Sequence, residues 1–60
     1  MPIVTVELWE GKTMEQKRQI VKDITATFLK LGISPEHINV LLKENPKHNW
    51  AIGGKLCSEM

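Results

Sequence analysis

The sequence predicts an α+β fold: a small β-α-β unit with two parallel strands, one main helix and a short C-terminal hairpin, assembled into an oligomer. Three observations predict it. Ile3 to Trp9 and Ile38 to Leu42 read as strands, rich in β-branched and large apolar residues. Between them, apolar residues recur at steps of three and four, the spacing of a helix face. The whole chain is only 60 residues long, so residues 1–60 make a single domain, and a domain this small buries only about 60% of the surface its unfolded chain exposes.

Along the first strand, Val4, Val6 and Leu8 fall on one face and Ile3, Thr5, Glu7 and Trp9 on the other, a strand with both faces partly covered. Glu10 and Gly11 break it. Thr13-Met14-Glu15-Gln16 then has the spacing of a capping box, in which the Thr13 hydroxyl and the Gln16 side chain satisfy each other's backbone donors. The helix that follows carries Ile20, Val21, Ile24, Phe28 and Leu31 as one apolar stripe. Gly32 supplies its left-handed stop. Ser34-Pro35-Glu36 offers a short turn with Ser34 as cap and Pro35 in first position, and the second strand, Ile38 to Leu42, is closed off by Pro46. A helical crossover makes the two strands parallel and the connection right-handed.

The stretch HNWAIGG reads as a short hairpin, with Ala51-Ile52 flanked by turn-formers and closed by Gly53-Gly54, and KLCSEM as its tail. Two parallel strands under one helix leave a sheet face and two edges open. With no repeat, linker or second domain to cover them, another subunit must.

Composition narrows the function. Eight Lys and Arg against seven Asp and Glu give a net charge of +1, so no polyanionic partner is implied. Lys12, Lys17, Arg18 and Lys22 lie on or beside the helix, but acidic residues are interleaved and the few aromatics form no stacking platform, which excludes nucleic acid. No apolar run approaches the ~20 residues that span a bilayer, and no secretory leader is visible. Cys57 is alone, which fits a reducing cytoplasm and excludes a disulfide framework. Cys57, His37 and His48 have no metal-ligand spacing. His37 and His48 fall in predicted turns, Cys57 reads as an inert thiol in the tail, and Gly53-Gly54-Lys55 lacks phosphate-loop spacing.

Pro2 has two readings. As the head of a strand it is tolerated because its missing N–H need not join the ladder. After removal of Met1 it becomes an N-terminal secondary amine, a base that no internal proline provides. With Met1 attached, the same nitrogen is a tertiary amide without a basic lone pair.

The segments PIVTVELWEGKTMEQK and WAIGG resemble the 4-oxalocrotonate tautomerase family, a likeness that runs over nearly the whole chain. It covers the proline behind Met1, the strand, the EG before a capped EQK helix start, and the aromatic residue ahead of IGG. The resemblance implies a β-α-β monomer assembled as a homohexamer, a trimer of dimers, with Pro2 as general base and active sites near subunit interfaces. It also implies the reaction: enol–keto proton transfer on a small 2-hydroxy-dienoate or other enol or keto acid, with no cofactor.

A free α-amino group titrates at roughly 7.7 to 8.0, and an apolar pocket with a nearby cation lowers that further, leaving neutral base at neutral pH. Relatives that process dicarboxylates resemble one another in two arginines and a hairpin aromatic. Here Lys12 stands at the first arginine position, Asn39 at the second, and Trp50 keeps the aromatic. Lysine loses the bidentate fork and asparagine loses the charge, which favours a monoacid. Each residue has a plainer reading: Lys12 as a solvated loop charge, Asn39 as a surface polar residue, Trp50 as an interface anchor. The alternative for the chain as a whole is a non-catalytic oligomer or binding protein of the same fold.

Overall fold

The computed structural model describes residues 1–60. Strand β1 (Ile3–Trp9), helix α1 (Met14–Leu29), strand β2 (Asn39–Asn45) and the hairpin strands β3 (Ala51–Ile52) and β4 (Lys55–Leu56) follow in chain order. Short 3₁₀ turns occupy Pro35–His37, Lys47–Asn49 and Cys57–Glu59. β1 and β2 pair in parallel, from Ile3 opposite Asn39 to Trp9 opposite Asn45. β3 and β4 pair antiparallel, with Ala51 opposite Leu56. Gly53 and Gly54, at φ +60° and +84°, supply the two consecutive positive angles that so tight a hairpin demands.

Both ends of α1 are fastened as the sequence predicts. Thr13 Oγ1 accepts the Gln16 N–H at 3.1 Å, and Gln16 Oε1 accepts the Thr13 N–H at 3.0 Å. At the other end the Ile33 N–H donates to the Phe28 carbonyl at 3.3 Å and the Gly32 N–H to that of Leu29 at 3.0 Å. These are the paired bonds of a Schellman stop, with Gly32 at φ +82°.

Val4, Val6 and Leu8 are half-buried, as are Val40 and Leu42 at the matching positions of β2. α1 lies against β2, and Lys17 forms an ion pair with Glu44, which places the helix on this face. Ile3, Thr5, Glu7 and Trp9 are exposed. Within the chain the helix covers one face of β1, and the other is covered only at its end, where Lys47 and Trp50 meet Trp9.

Three boundaries differ from the sequence reading. β2 begins at Asn39 and runs on through Lys43, Glu44 and Asn45, polar residues of low strand propensity. They stay in the ladder because the Asn45 carbonyl accepts the Glu10 N–H at 3.1 Å and Glu44 is tied to Lys17. Leu31 is not on the helix stripe: it lies past the end of α1 and is 72% exposed, while Ile33, folded back by the Schellman bonds, is half-buried. The tail is not loose either, since Lys55 and Leu56 return as β4 and Cys57, at 8% exposure, is the one buried residue of the chain.

One buried residue in sixty is not a core. The chain is flat and elongated, 44 × 23 × 14 Å, and leaves Ile3, Leu41, Ile52 and Leu56 among its exposed apolar side chains.

Candidate active site

The head of β1 and the head of β2 lie side by side. Pro2 is half-buried, and its carbonyl accepts the Asn39 N–H at 3.0 Å. Parallel pairing alone brings these two residues together. Met1 projects beyond them at 81% exposure, and its peptide bond makes the Pro2 nitrogen an amide.

Lys12 and Trp50 lie at the other end of the sheet. β1 is fully extended, and at about 3.3 Å per residue its seven steps from Pro2 to Trp9 span about 23 Å. Lys12 follows in the turn into α1, after Gly11 at φ +110°. Trp50 ends the Lys47–Asn49 turn, donating its N–H to the Lys47 carbonyl at 3.2 Å and accepting the Cys57 N–H at 2.8 Å. The buried Cys57 thus anchors the backbone that carries Trp50.

Trp50 meets Trp9 edge to face, with ring centroids 5.8 Å apart and planes at 75°. The Lys47 ammonium sits 4.6 Å from the centroid of the Trp9 ring. Neither Trp9 nor Lys47 is a site candidate from sequence. Alternation does place Trp9 on the open face of β1, but no local spacing says that the chain returns after Pro46 to lay Lys47 and Trp50 against it.

A single chain therefore holds Pro2 with Asn39 at one end of the sheet, and at the other the cluster of Trp9, Trp50 and Lys47 with Lys12 in the turn that follows β1. It encloses no pocket of its own. His37 and His48 sit in their 3₁₀ turns, and no three His, Cys, Asp or Glu side chains gather where they could hold a metal ion. The Glu44 carboxyl is held below the ordinary carboxylate range, chiefly by the hydrogen bond from Lys17. No helix is long and apolar enough to cross a membrane.

A proline at the head of a parallel β-α-β unit, closed by a short aromatic-led hairpin, defines a small and recognisable class of protein. The family model described as "Tautomerase enzyme" matches residues 2–60. The chain is 42% identical to a "probable tautomerase" of Lactiplantibacillus plantarum, over 98% of this chain and 94% of that protein. It is 43% identical to the 2-hydroxymuconate tautomerase of Bacillus subtilis, over 100% of this chain and 98% of the relative. Among solved structures, YwhB, a homologue of 4-oxalocrotonate tautomerase, superposes with a TM-score of 0.91 at 42% identity, covering 98% of both chains. The chain belongs to the tautomerase family and is an isomerase of the 4-oxalocrotonate tautomerase type.

Proposed function

We propose that the chain moves a proton between oxygen and carbon in a small enol or keto acid, with Pro2 as the base once Met1 is removed. The observation that carries this reading is the placement of Pro2, half-buried at the head of β1, in a chain whose family performs tautomerisation. An amine there accepts the enol hydroxyl proton and returns a proton to carbon. A partly buried site disfavours its ammonium form and keeps neutral base available.

Lys12 and Trp50 cannot join Pro2 within one chain, so the working site lies between subunits. One subunit supplies Pro2 and Asn39, and a neighbour supplies Lys12 as electrophile toward the substrate carboxylate or carbonyl and Trp50 as a wall. The exposed sheet face and the single buried residue support self-association, and the assembly proposed is a homohexamer, a trimer of dimers, in the cytoplasm. Neither metal nor organic cofactor has a step in this mechanism.

The relative from Bacillus subtilis is a 2-hydroxymuconate tautomerase, which supports a 2-hydroxy-dienoate as one substrate. Lys12 without a second strong cation at Asn39 favours a monoacid over that dicarboxylate. The test compares kcat/KM for phenylenolpyruvate and 2-hydroxymuconate on processed protein. Phenylenolpyruvate is expected to compete well. Strong preference for the dicarboxylate would contradict the assignment of Asn39, and turnover of neither would contradict the reaction.

A further inference from the structure

We infer that Trp9 is a specificity residue of this site: with Trp50 it forms a two-walled aromatic corner that selects enol or keto acids carrying an aryl or extended conjugated group. The inference rests on the tautomerase reading and adds the apolar half of the substrate to it. Two indoles with planes at 75° and centroids 5.8 Å apart are two walls meeting near a right angle. A flat conjugated group laid against one wall meets the other edge-on, and both contacts are favourable aromatic geometries.

Lys47 ties the two walls together. Lys47 lies 4.6 Å from the Trp9 centroid, within cation–π range, and its carbonyl accepts the Trp50 N–H, so one residue braces both walls. The chain's one ion pair is Lys17 with Glu44, which leaves the Lys47 charge without a carboxylate partner and the rim of the corner positive. That suits an acid with a planar apolar tail. Trp9 keeps 37% of its surface exposed, so part of the corner stays open within the single chain. Lys12, the proposed carboxylate or carbonyl ligand, follows Trp9 by three residues, so head and tail of one small substrate fall within reach of the same end of the sheet.

The test measures kcat/KM for phenylenolpyruvate and for the enol of 2-oxohexanoate in wild type, Trp9→Leu, Trp9→Phe and Lys47→Gln. Calorimetric titration with the two corresponding keto acids reads binding independently of turnover. Trp9→Leu is expected to lower the aryl-to-linear ratio about fivefold, mainly through KM, in turnover and in binding alike. Trp9→Phe keeps most of the ratio, and Lys47→Gln lowers it less than Trp9→Leu does. Should Trp9→Leu fail to assemble, Trp9→Met, which fills the space without a π face, takes its place. An unchanged ratio in an assembled variant overturns the proposal. Dissociation of both Leu and Met variants also overturns it, since Trp9 is then an interface anchor. Wild-type protein that turns over neither enol removes the tautomerase reading, while the calorimetric ratio still decides the role of Trp9.

Discussion

In the proposed site, Asn39 is the residue that departs furthest from one built for two carboxylates. Its amide can accept or donate a hydrogen bond to substrate but brings no charge, so Asn39→Arg should raise kcat/KM for 2-hydroxymuconate by about tenfold or more and leave a monoacid nearly unaffected. Steady-state kinetics on both substrates checks it. Pro2→Ala keeps an N-terminal amine after processing but loses the ring that holds it, so proton transfer should weaken without vanishing. For the processed wild type, kcat/KM should climb with pH as Pro2 loses its proton. Pro2 draws notice by its place at the head of the first strand, while Lys12, Asn39 and Trp50 were proposed from the family resemblance, at the EG break, the start of β2 and the hairpin. Trp9 and Lys47 were not, since their meeting is a contact between distant parts of the chain that no local pattern encodes.

At the scale of elements, capping chemistry was the most legible feature, because a capping box and a glycine stop are written within a few residues of each other. Thr13→Ala removes the acceptor for the Gln16 N–H and should cost about 1 kcal/mol, read from the denaturant midpoint at fixed subunit concentration. Leu31 was misread because periodicity continues past the residue at which the Schellman bonds turn the chain, and Ile33 takes the inward place. The C-terminal half of β2 was missed because Lys43, Glu44 and Asn45 are held by pairing rather than by propensity.

The Glu44 carboxyl is lowered from 4.5 by the Lys17 hydrogen bond, so its stabilisation is complete above that value and is lost as pH falls below it. Lys17→Met should flatten this acid limb of the melting-temperature profile and change it little at neutral pH, a small effect for an exposed pair that added salt reduces further.

The whole molecule makes sense only as part of an assembly. One buried residue in sixty leaves the stability of a lone chain far below what folding requires, so unfolding and dissociation should be a single event whose midpoint rises with protein concentration. In the proposed site, the same association would carry the Pro2 of one chain to the Lys12 and Trp50 of another. Length and an uncovered sheet face made the need for partners legible; which faces meet was not, because flat apolar patches specify contact without specifying geometry. If the assembled protein works through the free amine of Pro2, two preparations differing only in Met1 must differ in activity. Mass spectrometry fixes the N-terminus, sedimentation the assembly, and turnover of phenylenolpyruvate the activity of the same samples. Equal assembly is expected, with the Met1-retaining form slower by about 10² to 10⁴, the usual contribution of general acid–base catalysis; equal rates in the two forms would rule out Pro2 as the base.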